Sequence, residues 1–162
     1  MADENNINPE NLQAEDQRQV SILVQYVKDI SFENPGAPQS LQVSEEKPNI
    51  NVSVDVAAQK LDDNNYEVEL KIAATAKREG ATLFIAEVDY AGVFSMQNIP
   101  EEEIQPALLI FCPSLLFPYV RRVVSDLTRD GGFPALMLDP IDFAQLYQQR
   151  MEQMQNEQNE QE

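Results

Sequence analysis

Apolar and polar residues alternate with period two along four stretches of this chain, and with a helical period afterwards. In 20–33 the apolar positions are Ile22, Val24, Tyr26, Ile30 and Phe32, with one break at Lys28. Residues 49–58 alternate cleanly through Ile50, Val52, Val54 and Val56, and 66–77 repeat the pattern through Tyr66, Val68, Leu70, Ile72 and Ala74. The fourth stretch, 81–96, is apolar on both sides in its middle: Phe84, Ala86, Val88 and Tyr90 on one, Leu83 and Ile85 on the other. Period-two alternation predicts half-buried strands. The polar links 62–65 and 78–80 are short turns, and such links demand antiparallel neighbours, since a parallel crossover needs about a dozen residues. The link 34–48 is longer and carries three prolines, which predicts a crossing rather than a tight turn.

Helical spacing follows. Pro100 with Glu101, Glu102 and Glu103 marks a helix start whose acids suit the dipole, running towards Phe111. Pro113 is placed near the start of a second helix that Pro118 reshapes, ending after Arg129 at Gly131 and Gly132. Residues 133–138 read as an extended apolar connector between two prolines. Asp139 as N-cap and Pro140 at the first position then open a last helix with Ile141, Phe143, Ala144, Tyr147, Met151 and Met154 at helical spacing. Four strands followed by helices predict an α+β fold, a four-stranded antiparallel sheet with helices packed on it. Residues 1–17 and 152–162, rich in Asn, Gln, Asp and Glu, read as disordered acidic tails around one domain at 18–151.

Composition removes most chemistries. The chain has 162 residues and a formal net charge of −17, which argues against nucleic acid and anionic membrane surfaces and favours basic partners. It has no His, so the commonest general base and metal ligand is missing. A single Cys, Cys112, excludes an intramolecular disulfide and a zinc cluster, and has no His to activate it as a nucleophile. There is no Gly-rich phosphate loop and no Ser/His/Asp set. The acidic pairs Asp62–Asp63 and Glu101–Glu102 lie in a turn and at a helix start, where little raises their pKa. The reading is therefore not an enzyme, with no cofactor. No signal-peptide pattern opens the chain, and no apolar stretch approaches the roughly 20 residues of a membrane helix; the expected location is the cytoplasm.

Surface chemistry remains. Asp29, Ser31 and Glu33 share one side of the first strand, and Ile85, Glu87 and Asp89 one side of the fourth. Together they predict a flat sheet face, acidic with Ile85 at its centre. The two-sided apolar middle of the fourth strand predicts a subunit interface through Ala86, Val88 and Tyr90.

Several motifs in one order resemble the SecB protein-export chaperone family. They are Tyr26-Val-Lys-Asp-Ile-Ser-Phe-Glu-Asn-Pro, Tyr66-Glu-Val, Ala91-Gly-Val-Phe, Cys112-Pro followed by Leu116-Phe-Pro-Tyr and an Arg, and then Gly-x-Phe-Pro-x-Leu-x-Leu-x-Pro-Ile-Asp-Phe. The resemblance spans roughly residues 20–147. It implies a cytosolic, ATP-independent holdase that keeps precursor proteins unfolded and passes them to the SecA ATPase, assembled as a homotetrameric dimer of dimers. A related general or antitoxin-linked holdase with other clients is the alternative on the same fold.

Carried over residue by residue, the resemblance assigns contact with the basic, zinc-bearing tail of SecA to Asp29, Glu33, Ile85 and Glu87. Ile85 and Ala86 depart from a typical member, which has another apolar residue and a Cys there. For unfolded clients the family uses a groove between sheet and helical lid. Its expected lining here is Ile50, Val52, Val54, Phe133, Leu136 and Leu138, with Phe32 and Phe117 as further candidates; Val52, Val54 and Phe117 are equally compatible with core.

Overall fold

The computed structural model describes residues 17–160; all but residue 17 of the expected N-terminal tail lies outside the described residues. Four strands, β1 (Gln19–Glu33), β2 (Asn49–Lys60), β3 (Asn65–Arg78) and β4 (Ala81–Gln97), form one antiparallel sheet in the order β1-β4-β3-β2. The expected strands recur within a residue or two, because alternation and turn chemistry agree locally. Asp62 organises the β2–β3 turn by accepting from the Asn65 amide at 3.0 Å. Glu79 and Gly80 take positive φ in the β3–β4 turn. The proline-rich link carries the chain from one edge of the sheet to the other, and contains a short 3-10 turn at Gln39–Leu41.

The break at Lys28 is a β-bulge, and a second lies between Ile22 and Val24. Each inserted residue inverts the side-chain parity. Ile22, Ile30 and Phe32 therefore share the inner side with Phe94, Val88 and Ala86, while Val24 and Tyr26 pair with Val93 and Ala91 on the outer side. The apolar residues of this strand do not hold one face, as simple alternation had suggested.

The inner face is covered by one long helical run, Glu101–Asp130. It comprises α1 (Glu101–Pro106), a π-helical turn (Ala107–Phe111) and α2 (Cys112–Asp130), where two separate helices were expected. The Cys112 amide bonds Ala107 O, five residues back, and Pro113 needs no partner because it has no N–H. The helix continues past its prolines for that reason. Its 30 residues are long and apolar enough to cross a membrane by length and composition, contrary to expectation. Here Leu116, Val120 and Val124 lie fully buried in a core that includes Val68, Leu70, Ile72, Val88 and Phe94 of the sheet; each large apolar side chain so buried stabilises by about 1.5–3 kcal/mol.

Gly131 ends α2, its amide bonding Leu127 O at 2.8 Å, and Gly132 takes φ +90. The connector that follows is tied to the helix by Thr128, fully buried, whose Oγ1 accepts the Leu136 amide at 2.9 Å. The last helix, α3 (Phe143–Asn159), starts later than the Asp139–Pro140 pair suggested. Asp142 is the N-cap, accepting from Gln145 N at 3.0 Å, and Phe143 drops into the core against Phe117 with ring centroids 6.3 Å apart. The helix runs on to Asn159, into residues expected to be a disordered tail; Gln, Glu and Met are good helix formers.

Candidate functional site

Strand register assembles the outer face. On β1 and β4, Asp29 stands opposite Asp89, Ser31 opposite Glu87, and Glu33 opposite Ile85. On β3 and β4, Lys71 stands opposite Asp89, Ala73 opposite Glu87, and Thr75 opposite Ile85. Asp29, Glu33, Ile85 and Glu87 thus occupy one surface, as their alternation predicted. A shallow depression of about 360 Å³ lies on it, lined by Asp29, Asp55, Lys71, Ala73, Glu87 and Asp89 among others.

The distribution of charge on this face was not legible in advance. Lys28, displaced outward by its bulge, bonds Glu67 and Glu69 at 3.0 Å each. Those bonds raise the Lys28 pKa. Glu67 also accepts from the Tyr26 hydroxyl, and burial together with that bond pushes Tyr26 up to about 12. Lys71 pairs with Glu69 at 3.1 Å and lies 3.9 Å from Asp89. Both lysines are therefore engaged by Glu67, Glu69 and Asp89. Among the described residues, no basic side chain pairs with Asp29, Glu33 or Glu87. Within the described chain their charge stays uncompensated, and such a surface is complementary to a cationic one.

Glu69 and Asp89 form a carboxyl pair across the two central strands. Burial, then the hydrogen bond and charge of Glu69, push Asp89 up to about 6. The hydrogen bond from Asp89, with those from Lys28 and Lys71, holds Glu69 at about 2. Asp89 Oδ1 is buried without a partner among the fixed atoms. When protonated, Asp89 can donate to Glu69 across the two strands.

The inner face carries the apolar residues expected to line a groove, and divides them. Phe117 and Leu138 are buried in the main core at 7% exposure each, so they pack rather than line a groove. Phe32 stacks on Phe84 with centroids 5.9 Å apart, and Phe84 meets Phe133 at a tilt of 53° with centroids 5.0 Å apart. Phe32, Phe133 and Leu136 are half-buried against a second, smaller cluster of Ala74, Ala76, Leu83, Phe84 and Ala86. Ile50 and Val52, 38% and 39% exposed, extend this strip along β2, with Val54 half-buried beyond them. The result is an apolar strip open at the β2 edge.

Ala86, Val88 and Tyr90, expected at a subunit interface, are already covered within the chain. Val88 and Tyr90 lie in the core with α2, and Tyr90 stacks on Tyr119 at 6.1 Å. The helix, not a second subunit, buries that side of β4. Apolar exposure lies instead on β1, at Leu23, Val24, Val27 and Ile30, and on the helical run at Phe111 and Tyr119. Cys112 is fully buried, which pushes its thiol up to about 12, so it carries no thiolate at neutral pH. Arg121 and Arg122 are used locally: one lies 5.7 Å over the Phe117 ring, the other pairs with Asp126 at 3.5 Å.

These features coincide with one protein family. Residues 13–154 match the family model "SecB: Preprotein translocase subunit SecB". The chain is 52% identical over 135 residues to a protein-export protein SecB of Parvibaculum lavamentivorans, covering 83% of this chain and 80% of that one. It is 52% identical over 132 residues to a protein-export protein SecB of Azorhizobium caulinodans, covering 82% of each. Among solved structures, a Mycobacterium tuberculosis SecB-like chaperone in complex with a peptide of the HigA1 antitoxin superimposes with a TM-score of 0.63 at 18% identity, covering 82% of this chain and 95% of that one. The chain belongs to the SecB family of protein-export chaperones.

Proposed function

We propose that this chain is a cytoplasmic, ATP-independent holdase that keeps precursor proteins unfolded and export-competent and delivers them to the SecA ATPase. The observation that supports it is one sheet with two chemically opposite faces. The inner face leaves an apolar strip from Phe133 and Leu136 to Val52 and Ile50 partly uncovered. An unfolded chain offers apolar side chains to such a strip, and a tolerant surface binds many sequences. Among the described residues, no basic side chain pairs with Asp29, Glu33 or Glu87 around Ile85 on the outer face, which suits the basic, zinc-bearing tail of SecA. Such complementarity acts mainly on the association rate and weakens with salt.

In this reading the domain at 18–151 works as a homotetrameric dimer of dimers. The contacts fall on the exposed apolar residues of edge strand β1 and on Phe111 and Tyr119, because an apolar sheet edge left open invites another chain. Neither catalysis nor a cofactor enters, and nucleic acid is disfavoured by the net charge of −17. Identity near one half to relatives named for protein export favours export over antitoxin-linked clients.

The test compares binding of one precursor in its unfolded and folded forms. Capture of the unfolded form alone is expected, and equal binding of both refutes the holdase. For delivery, the Asp29→Ala, Glu87→Ala double variant is expected to lose SecA binding and most of its salt dependence. Unchanged affinity would remove the outer face from the contact.

A further inference from the structure

α3 is held to the rest of the chain by a single face. Phe143 is buried, Leu146 packs against the core, and Tyr147, Arg150 and Met151 are half-buried. Beyond Met151 the helix is exposed to its end. Arg150 is thus close to the last attachment point, and it makes two bonds of different kinds. Its Nη1 donates to the Val56 carbonyl at 2.7 Å, on the strand that forms the open edge of the sheet. Its Nη2 pairs with the Asp55 carboxylate.

Asp55 and Val56 are neighbours in β2, so their side chains point to opposite sides. Val56 is 4% exposed, on the inner side. Asp55 stands opposite Lys71 on the outer side and lines the outer-face depression. The guanidinium therefore reaches around the sheet edge and joins α3 to the acidic surface. On its inner side Arg150 also lines a groove of about 580 Å³ between β2 and the helical run, with Val56, Ala58, Tyr66, Ile104 and Leu108.

We propose that Arg150 is a releasable latch: a cationic segment docking on the outer face takes Asp55 from it, α3 loosens from the β2 edge, and a client held along the inner face leaves faster. This rests on the reading of the outer face as a dock for a basic segment. Among the described residues, Lys71 is the cation lining that depression and is already held by Glu69 within the sheet, whereas the cation on Asp55 comes from outside the sheet, on α3. An incoming Lys or Arg needs only to replace one guanidinium by another cation. Charge balance at Asp55 is kept, while the helix loses its outer tie.

The test follows hydrogen exchange across Phe143–Asn159 in the full chain, with and without a saturating synthetic peptide rich in Lys and Arg. Dissociation of labelled, reduced and carboxymethylated lactalbumin is followed in parallel. An exposed ion pair corresponds to roughly two- to fivefold in an opening equilibrium. Exchange near Arg150 and client dissociation should both rise by about that factor when the peptide binds the wild-type protein. In Arg150→Gln and in Asp55→Asn both rates should already be raised, and the peptide should add nothing. Asp55→Asn changes an exposed carboxylate and preserves the fold even where Arg150→Gln does not. If calorimetry shows the peptide bound while exchange in α3 stays unmoved, or if both variants respond as the wild type does, the latch is overturned and the docking face stands. If the peptide does not bind at low salt, both are overturned.

Discussion

Thr128→Val tests how the apolar connector is held. Thr128 is fully buried, and its Oγ1 accepts the Leu136 amide at 2.9 Å while donating to Val124 O at 3.0 Å or Ser125 O at 3.1 Å. Valine has the same shape but no hydroxyl. The helix carbonyls keep their own ladder bonds, so losing the donated bond costs little. The Leu136 amide is different, because it lies in a half-buried segment with no second acceptor shown. Loss of a net hydrogen bond, about 1 kcal/mol, and partial desolvation of an orphaned N–H, about 1–3 kcal/mol in full, give about 2 kcal/mol together. For a chain of this size that lowers Tm by about 4–8 °C. Urea and thermal unfolding read the stability, and exchange of the Leu136 amide reads the site itself. Thr128→Ser should cost stability through its lost methyl but leave the Leu136 amide protected. A Thr128→Val protein within about 1 °C of wild type, with Leu136 still protected, would refute the argument that this hydroxyl anchors the connector.

Other outcomes follow from the same geometry. A Cβ at Gly131 would meet the Phe32 ring at 2.3 Å, so Gly131→Ala should displace Phe32 and weaken client binding while α2 itself, whose backbone there is helical, stays intact; chemical shifts of the Phe32 ring report the displacement. Leu116→Ala, at a fully buried position, should cost about 2–5 kcal/mol in urea unfolding. Asp89 binds its proton more tightly folded than unfolded, so its contribution to stability falls as pH rises from about 4 to about 6; Glu69, held near 2, contributes above its unfolded value and is lost as pH falls towards 2. Asp89→Asn should therefore flatten the decline between about pH 4 and 6, measured as the urea midpoint against pH, and an unaltered slope would exclude the shared proton.

Strands were legible because local signals agreed: Val52, Val54 and Val56 alternate, and Asp62 with Asn65 supplies a turn that needs nothing from elsewhere. The acidic face was legible for the same reason, since Asp29, Glu33, Ile85 and Glu87 obey parity within their own strands. Its ion network was not, because Lys28 and Glu67 are 39 residues apart and meet only through register and a bulge. The bulges themselves left one trace, the polar residue at Lys28. Position alone could not separate groove from core: Leu138 and Leu136 sit two residues apart in one extended segment, yet one is buried and the other half-buried. Pro113 does stand at the start of α2, but the break expected before it is absent, and the last helix starts later than the Asp139–Pro140 pair suggested. A π-helical turn accommodates the first, and Asp142 has the better capping geometry for the second.

The π-helical turn at Ala107–Phe111 also has a bearing on how this helix tolerates insertion and deletion. Five residues there complete what slightly fewer would in a regular helix, so the wide turn takes up one extra residue and α2 keeps its phase against the sheet. α1 turns Ile104 towards β2, whereas α2 turns Leu116 and Val120 towards the central strands. Deleting one residue from this turn would therefore yield a regular helix whose seam still faces the sheet. Deleting one residue from the regular part of α2 would instead swing the seam beyond it, Val120 and Val124 included, by about 100° and bring polar positions such as Arg122 towards the sheet. The irregular turn is in effect a buffer of length, absorbing one residue without turning the rod's apolar seam off the sheet.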